Sequence, residues 1–371
     1  MKRFDRQILL PEIGRAGQEK LSKARVLVVG AGGLGSPIIQ YLAAAGVGTI
    51  GVIDGDAVEE SNLNRQLLFR AKDVGESKAD LVGSMLSSEY PELNVFTYKK
   101  FLNNQNALII IPEFDLVIDG TDNFGTRYLI NDACVLLGKP FIMGAIYKFE
   151  GQVAVFNVGN DSVNYRDLHP VEPSGAEVPN CSETGVLGTL PGLIGMLQAT
   201  EALKFFTGIG ELILGKVLYY DLKSAEFFHV HLKPYPLGRA ELPENEGAFL
   251  KKEYKTPRVA PDIIKWYDFF QLPGIGGYAL FDIRDPAEVP SIEMKSLRRI
   301  PMKNLQENPE QLQNIEGVVL FCQTGNRSKH LASILKEIYP EKTIYSIEGG
   351  ILDLNSPLYK DYEEKIKKYI H

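Results

Sequence analysis

The chain has 371 residues, of which 44% are hydrophobic and 23% are charged, which is enough core material for two or three globular domains. Its formal net charge of −7 argues against nucleic acid as the main partner, because phosphate binding needs a basic face. No apolar run reaches the roughly 20 residues that cross a bilayer, and charges interrupt the N-terminal segment, unlike a signal peptide. We therefore expect a cytoplasmic protein that contacts neither a membrane nor nucleic acid.

The first half of the chain alternates predicted strands with predicted helices. Runs of β-branched and apolar residues predict strands at 25–30, 49–54, 115–119 and 140–143. Helical spacing of apolar residues predicts helices at 36–45 and 128–137. Further predicted elements are strands at 151–156 and 217–221 and a long helix at 189–207. This alternation indicates an α/β fold, a Rossmann-like domain with a mostly parallel sheet and helices on both faces.

Two further regions follow this predicted domain, which spans residues 1–232. Prolines among charged residues predict an extended linker over residues 233–264. Residues 265–371 predict a second, smaller α/β domain, with strands at 278–282, 317–322 and 342–347 and a helix at 328–338. We find no internal repeat, so the second domain is not a copy of the first.

A glycine-rich turn joins the first predicted strand to the first predicted helix. Its glycines are Gly30, Gly32, Gly33 and Gly35. The missing side chains let the backbone approach a phosphate at the helix N-terminus, where free N–H groups and the helix dipole favour anions. Asp54 ends the next predicted strand, where a carboxylate would accept a hydrogen bond from a ribose hydroxyl. By itself this pattern is typical of NAD or FAD binding, so an NAD-dependent oxidoreductase is one hypothesis.

Polar residues further along the chain favour a triphosphate over a dinucleotide. Asn62, Arg65 and Gln66 follow the second strand closely, and a planar guanidinium matches phosphate oxygens. Lys78 offers a second cation, and Asp122 is a candidate Mg²⁺ ligand. Taken separately, Arg65 and Lys78 are equally consistent with solvated surface charges, but their clustering favours a site for ATP.

Several segments together identify a family. They are 3–14, 30–36, 61–66, 119–123, 144–145, 150–153, 185–188 and 198–203. In these segments the chain resembles the ubiquitin-activating-like adenylyltransferases of the ThiF/MoeB/HesA family, over roughly residues 1–232. The resemblance implies that Asp54 binds the ribose of ATP, that Arg65 and Lys78 bind its phosphates, and that Asp122 holds Mg²⁺. It also implies a homodimer in which Arg6 reaches the partner subunit's nucleotide.

The resemblance further implies adenylation of the C-terminus of a small ubiquitin-fold sulfur carrier that ends in Gly-Gly. The carrier's carboxylate attacks the α-phosphate of ATP, pyrophosphate leaves, and an acyl-adenylate remains. Cys181 lies in a polar, turn-forming segment where the family has a cysteine that bonds transiently to the carrier. A small buried residue is the alternative interpretation of Cys181. Cys134 lies in an apolar predicted helix, and we assign it to the core.

The family's usual zinc ligands are missing from this chain. Members usually hold a structural zinc with two Cys-x-x-Cys pairs, but here Asn164 and Asp167 stand at the first pair. The second pair should follow Lys233, where the chain has no cysteine. An Asn/Asp pair with His169 nearby is a poor tetrahedral zinc set. We therefore expect no zinc, and we expect packing alone to hold this region.

A second cysteine motif lies in the smaller predicted domain. Cys322 follows a predicted strand and precedes a helix, and Gly325, Arg327 and Ser328 complete a candidate sulfur-binding loop. Loop N–H groups and a helix N-terminus lower the pKa of such a cysteine and stabilise an anionic sulfur. The Cys-to-Arg spacing is one residue shorter than in cysteine phosphatases, which favours a single persulfide sulfur over a tetrahedral phosphate.

Residues 265–355 resemble rhodaneses in this loop, in Asp282 and Arg284 ahead of it, and in a later Gly-Gly pair. The usual His-x-Pro-Gly segment is missing, and Ile351 replaces a customary tryptophan. A degenerate rhodanese fold used for docking is therefore the alternative to an active sulfurtransferase.

The two resemblances together predict an enzyme that adenylates a sulfur carrier and converts it to a thiocarboxylate with a persulfide on Cys322. Cys181 is the candidate second thiol that releases the product. The predicted carrier is of the molybdopterin-synthase small-subunit type, and a thiamin-pathway or tRNA-thiolation carrier is the alternative. The sulfur donor is a cysteine desulfurase or thiosulfate. A non-catalytic scaffold that binds carriers is the remaining hypothesis.

Overall fold

The computed structural model describes residues 2–159, 162–170, 185–254, 262–272, 277–290, 297–339 and 342–354. The chain divides into two compact units, Met1–Thr256 and Pro257–His371. Within the described ranges, each helix is either too short or too polar to span a lipid bilayer.

The first unit is built on one mixed sheet. Its strands are β1 (Arg25–Val29), β2 (Thr49–Ile53), β3 (Asn94–Tyr98), β4 (Leu116–Asp119), β5 (Phe141–Tyr147), β6 (Glu150–Phe156), β7 (Lys216–Asp221) and β8 (Glu226–His231). They lie in the order β3-β2-β1-β4-β5-β6-β7-β8. The pairs from β3 to β5 are parallel, and those from β5 to β8 are antiparallel. The loops after β1, β2 and β4 therefore emerge at the same edge of the sheet.

The described helices of this unit are α1 (Asp5–Ile8), α2 (Gly14–Lys23), α3 (Gly35–Ala45), α4 (Lys78–Glu89), α5 (Asn104–Ile110), α6 (Phe124–Leu137), α7 (Tyr165–Leu168), α8 (Thr189–Thr207), α9 (Pro236–Ala240) and α10 (Glu246–Lys251). Alternate residues of β1 face opposite sides of the sheet. Val26 and Val28 join the core with α3 and α8, whereas Leu27 and Val29 join the core with α6. Helices thus cover both faces of the sheet, which confirms the predicted Rossmann-like α/β fold.

The structure differs from the extended linker expected over residues 233–264. The first part of this range forms α9 and α10 and buries Phe249 and Tyr254 in the core on the α6 side. Pro236 begins α9, a position where its missing N–H removes no helical hydrogen bond. The proline pattern does not reveal this burial, because it depends on a surface formed elsewhere in the chain.

A buried carboxylate, Asp132, joins this segment to α6. It accepts two hydrogen bonds from Arg166, at 2.7 and 2.8 Å, and one from the Tyr254 hydroxyl, at 2.8 Å. The Lys252 ammonium lies 3.7 Å away. A carboxylate is stable in the interior only with such partners, because no water solvates its charge there. The network therefore connects α6, α7 and the residues that follow α10.

The second unit is a smaller α/β domain with a parallel sheet. Its described strands are β9 (Asp262–Ile264), β10 (Tyr278–Asp282), β11 (Leu297–Arg299), β12 (Gly317–Phe321) and β13 (Thr343–Ile347). They lie in the order β11-β10-β12-β13-β9, and every pair is parallel. The described helices are α11 (Trp266–Phe269), α12 (Met302–Glu307), α13 (Asn326–Ile338) and α14 (Gly350–Leu354). This unit confirms the second predicted α/β domain.

Removing the Arg166 guanidinium should destabilise the first unit. In Arg166→Met the buried Asp132 loses its bidentate partner, which should lower the free energy of unfolding by about 3 kcal/mol. Far-UV circular dichroism during a urea titration measures this change, and the fluorescence of Trp266, the single tryptophan, reports the second unit separately. The control is Lys23→Met, whose pair with Glu19 is exposed and should contribute little to stability. Equal unfolding midpoints in the two variants would contradict the stabilising role of the network.

Candidate active sites

The turn after β1 lies beside the loop after β4, where the order of the sheet reverses. β1 pairs with β2 on one side and with β4 on the other, and open α/β sheets bind ligands at such a point. Gly30 has a φ of +94°, and a Cβ there would lie 2.9 Å from the carbonyl oxygen of Gly120. At Gly35 a Cβ would lie 2.0 Å from the carbonyl oxygen of Gly30. Only glycine permits backbone segments to approach so closely.

The carboxylate of Asp54 holds the glycine turn in place. Its Oδ2 accepts a hydrogen bond from the Ala31 N–H at 2.7 Å, and its Oδ1 accepts one from the Asp56 N–H at 2.8 Å. Burial raises the pKa of Asp54, and the charge of Lys78 opposes that rise. Each carboxylate oxygen can accept a further hydrogen bond, so this geometry leaves acceptor capacity for a ribose hydroxyl.

Lys78 is a buried cation at the start of α4. Its ammonium lies 3.2 Å from the Asp56 carboxylate. Burial lowers the pKa of Lys78, but the charges of Asp56, Asp54 and Asp122 outweigh this effect, so that the pKa is raised overall. The structure thus brings two sequence-predicted residues, Asp54 and Asp122, within electrostatic reach of a third, Lys78, and adds Asp56 to them.

Asp122 meets the chemical requirement for a Mg²⁺ ligand. Its carboxylate is exposed in the loop that follows β4, beside the glycine turn. Mg²⁺ is usually held by one or two carboxylates together with the phosphates of a bound nucleotide. Within the described ranges, no three His, Cys, Asp or Glu side chains form a cluster that could hold a metal ion without such a nucleotide.

Arg65 and Gln66 lie directly beside the glycine turn. The Cγ of Arg65 is 3.5 Å from the position of a Cβ at Gly33, and the Nε2 of Gln66 is 3.7 Å from one at Gly32. The guanidinium of Arg65 donates to the Ser61 carbonyl at 2.8 Å and remains partly exposed. The buried Oε1 of Gln66 accepts no hydrogen bond from the described residues.

Asn62 has a local structural role. Its side-chain oxygen accepts a hydrogen bond from the Glu59 N–H at 3.4 Å, which closes the 3₁₀ turn ahead of Arg65. The side chain is buried, so this contact helps to fix the backbone from which Arg65 projects. Arg6 lies in α1 and is exposed.

The sequence patterns do not identify Arg127 and Gln198, which hold the loop that carries Asp122. Arg127 donates to the Asp119 carboxylate at 2.7 Å, and Gln198 donates to the Asp119 carbonyl at 2.7 Å. Arg127 also donates to the carbonyl of Thr121 at 3.2 Å. Burial lowers the pKa of Arg127, but Asp119 outweighs that effect and keeps the guanidinium charged. A lone arginine among buried residues of α6 is the sequence signal that points to such a role.

Cys181 lies outside the described residues, but Gly188 and Pro191, further along the chain, lie beside the glycine turn and the segment that carries Arg65. At Gly188 a Cβ would lie 2.2 Å from the carbonyl oxygen of Asn64. The Pro191 side chain lies 3.1 Å from the position of a Cβ at Gly33. The beginning of α8 is therefore part of the same site.

Asn164 and Asp167, which stand where the family has its first pair of zinc ligands, form hydrogen bonds and an ion pair with other residues of the chain. Asn164 caps α7, where its side-chain oxygen accepts a hydrogen bond from the Arg166 N–H at 2.8 Å. Asp167 accepts from the Arg239 guanidinium at 3.1 Å and from the Tyr235 N–H at 2.6 Å. Burial lowers the pKa of His169 to about 4. These residues do not fit a zinc ion. The expectation that packing alone holds this region is wrong, because the Asp167–Arg239 ion pair also links its two segments.

The candidate sulfur-binding loop lies between β12 and α13 in the second unit. Cys322 is buried, and its sulfur accepts a hydrogen bond from the Gly325 N–H at 3.2 Å. The Oγ of Ser328 lies 3.7 Å from the same sulfur and accepts a hydrogen bond from Ser346 at 2.8 Å. At Gly350 a Cβ would lie 2.4 Å from the Cys322 carbonyl, so the later glycine pair lets α14 approach the loop.

Each of two arginines beside this loop is paired with a carboxylate. Arg284 makes two hydrogen bonds with Asp282, at 2.8 and 2.7 Å, and donates to the side-chain oxygen of Gln323 at 3.1 Å. Arg327 makes two hydrogen bonds with Glu288, at 2.7 and 2.6 Å. The sequence patterns do not identify Glu288.

Comparison with known proteins follows the same two units. The ThiF family matches residues 4–237, and the rhodanese-like domain matches residues 269–356. The chain is 39% identical to the probable adenylyltransferase/sulfurtransferase MoeZ of Mycobacterium tuberculosis over 367 residues. This alignment covers 94% of this chain and 91% of that protein. It is 49% identical to the sulfur carrier protein adenylyltransferase of Thermus thermophilus over 240 residues, and this alignment covers 64% of this chain and 89% of that protein.

A similar fold is present in the crystal structure of E. coli MccB with MccA-N7isoASN. The TM-score is 0.56 and the sequence identity 23%, over 63% of this chain and 72% of that chain. At this identity the likeness supports the fold alone.

Adding a methyl group to the glycine turn should abolish tight ATP binding. In Gly35→Ala the new Cβ must displace the carbonyl of Gly30. A shift of about 1 Å in this positioning element should lower the affinity for ATP by on the order of 10²-fold. Isothermal titration calorimetry with Mg²⁺ and ATP measures the affinity. The control is Gly277→Ala in the second unit, because a Cβ at Gly277 meets nothing within 4 Å. Unchanged ATP affinity in the Gly35→Ala variant would show that the nucleotide binds elsewhere.

Proposed function

The chain belongs to the ThiF family and carries a rhodanese-like domain, and we propose that it converts the C-terminal glycine of a ubiquitin-fold sulfur carrier to a thiocarboxylate. It is an adenylyltransferase and sulfurtransferase, like the relatives that match along both units. The observation that carries the proposal for the first unit is that Arg65 and the loop leading to Asp122 lie against the glycine turn. Lys78 lies within electrostatic reach of Asp122 and of Asp54, which binds that turn.

The first step activates the carrier with ATP. An oxygen of the carrier's terminal carboxylate attacks the α-phosphorus, the bond to the β-phosphate oxygen breaks, and pyrophosphate leaves with the electron pair. The residues Arg65 and Lys78 neutralise phosphate charge, and Asp54 accepts a hydrogen bond from the ribose. Asp122 would hold Mg²⁺, which when bound supplies further neutralisation of phosphate oxygens. This chemistry depends mainly on positioning, for which the buried contacts of Asp54 and Lys78 provide support.

The second step replaces the activated oxygen with sulfur. The outer sulfur of a persulfide on Cys322 attacks the acyl-adenylate carbonyl, and AMP leaves with the electron pair. The product is an acyl disulfide between carrier and Cys322. A thiolate then attacks the Cys322 sulfur, which releases the carrier thiocarboxylate and leaves a disulfide that a thiol reductant must reduce.

Cys181 is the proposed source of that second thiolate. The chain has three cysteines. Cys134 is a poor nucleophile, because it is buried and burial raises its pKa well above the usual range. Pro191, ten residues further along the chain, lies beside Gly33 of the glycine turn, which is consistent with this role.

The carrier that we propose is of the molybdopterin-synthase small-subunit type, with a thiamin-pathway or tRNA-thiolation carrier as the alternative. The Thermus relative, named a sulfur carrier protein adenylyltransferase, supports this class of partner. The donor of the persulfide sulfur is a cysteine desulfurase or thiosulfate.

We also propose a homodimer in which the exposed Arg6 reaches the partner subunit's nucleotide. We further propose that the chain holds no zinc, and that the Asp167–Arg239 pair joins the segments that carry these two residues.

Two variants should separate the two activities. Asp122→Asn should reduce carrier-dependent exchange of pyrophosphate into ATP by at least about 10²-fold, because phosphate charge is no longer neutralised through this position. Cys322→Ala should retain this exchange and form no thiocarboxylate, which mass spectrometry of the carrier detects as sulfur in place of oxygen. The control is Glu211→Gln, an exposed carboxylate between α8 and β7. Exchange that survives in Asp122→Asn at the control's rate would contradict the assignment of the nucleotide site.

A further inference from the structure

Arg327 and Glu288 form a closed ion pair next to the sulfur of Cys322. Their two hydrogen bonds use both guanidinium NH2 groups and both carboxylate oxygens. The hydrogen bonds to Glu288 raise the pKa of Arg327, with a smaller contribution from Cys322, which indicates how near the guanidinium lies to the sulfur. The same hydrogen bonds lower the pKa of Glu288. Both groups are therefore ionised at neutral pH, and their charges cancel.

Glu288 is held in this position by its own turn. Its carboxylate accepts a hydrogen bond from the Asp285 N–H at 3.0 Å, and its N–H donates to the Asp285 carbonyl at 3.0 Å. These reciprocal bonds fix the carboxylate independently of Arg327. The pair is open to solvent, with side-chain exposures of 30% for Arg327 and 28% for Glu288. At Arg327, a sulfur donor that approaches the loop therefore meets an ion pair rather than an unpaired guanidinium.

The second arginine beside the loop does not supply the missing charge. Arg284 is buried and carries a bidentate pair with Asp282. It also binds the side chain of Gln323, the residue that follows Cys322. This arginine shapes the loop, but its charge is cancelled by its own carboxylate.

The two classes of sulfur donor differ in the charge that they bring to the loop. Thiosulfate is a dianion: the Cys322 thiolate attacks its outer sulfur, the S–S bond breaks, and sulfite leaves as a dianion. A persulfide R–S–S⁻ carries one charge: the same attack forms the same Cys322 persulfide, and the thiolate R–S⁻ leaves. An unpaired cation would favour the thiosulfate reaction more than the persulfide reaction, because it attracts the dianion more strongly and stabilises its doubly charged leaving group.

We propose that Glu288 makes this loop selective for persulfide sulfur over thiosulfate. The inference rests on the proposed function of Cys322 as the sulfur acceptor and names the class of donor that it uses. By neutralising Arg327, Glu288 weakens the attraction of a dianion to this position and places a like charge beside it. The N–H of Gly325 still stabilises the single negative charge of the sulfur on Cys322. A persulfide on a small thiol and one on a protein cysteine share this chemistry.

The test measures how fast each donor loads Cys322 in the full-length chain. Glutathione persulfide and thiosulfate are the two probes, and mass spectrometry after alkylation gives the fraction of Cys322 that carries an extra sulfur. Glu288→Gln keeps an oxygen that can accept from Asp285 and Arg327 but removes the charge, and Glu288→Ala also removes the hydrogen bonds. The matched control is Glu316→Gln, because Glu316 is exposed at the opposite end of β12, beyond the range of screened charges.

In wild type and in the control, glutathione persulfide should load Cys322 at least about tenfold faster than thiosulfate. Both Glu288 variants should accelerate loading by thiosulfate by about tenfold or more, equivalent to about 1.4 kcal/mol, and change loading by the persulfide less than about threefold. A cysteine desulfurase with cysteine, at the same persulfide concentration, distinguishes a protein-bound source from a free one by its rate.

Four results would overturn the inference. Equal acceleration of both donors would show that Glu288 controls access rather than selectivity. Unchanged or slower loading by thiosulfate in both variants would show that the ion pair does not exclude the dianion. Loading by neither donor in wild type would also remove the proposed sulfurtransferase role, whereas fast loading by thiosulfate in wild type would remove only the donor assignment. Carrier-dependent adenylation is measured independently and does not depend on Glu288.

Discussion

The buried ion pair between Asp119 and Arg127 is the constraint on which the adenylation site depends. Its charges are excluded from water, so they persist only at close range, and the 2.7 Å hydrogen bond fixes α6 against the end of β4. The other Asp119 oxygen accepts from the N–H and the hydroxyl of Thr121, at 2.9 and 2.6 Å. The backbone that leads to Asp122 is therefore set by a pair of residues that need not touch the nucleotide.

The same pair connects the loop after β4 to the rest of the sheet. Arg127 reaches the carbonyl of Gly144 on β5 at 3.3 Å, and Gln198 reaches the carbonyl of Asp119 from α8. α8 also packs against the glycine turn through Pro191. The turn, the Asp122 loop and α8 thus form one rigid frame, as a site that works by positioning charged groups requires.

The sequence predicts the features that are local. The glycine turn, Asp54 at the end of β2 and the Cys322 loop each lie within a few residues of a strand end, and strand ends follow from apolar runs. The role of Gln198 escapes this reasoning because Gln198 lies far along the chain from its partner Asp119. The pairing of Glu288 with Arg327 is likewise formed only when β10 and β12 lie side by side. The helices within the expected linker escape it because the burial of their apolar residues depends on a surface formed elsewhere. The role of Cys181 stays a prediction.

Both units place carboxylates beside their cations. In the first, Lys78 lies near Asp56, Asp54 and Asp122, and in the second each of two arginines beside the sulfur loop is paired with a carboxylate. The central claim is that the first unit transfers AMP to a carrier carboxylate. A carrier labelled with oxygen-18 in its terminal carboxylate tests it most directly, by mass spectrometry of the products after sulfur transfer. The label should appear in AMP, because a carboxylate oxygen attacks the α-phosphorus and leaves with it. Label in inorganic phosphate, or in no phosphate product, would contradict the account.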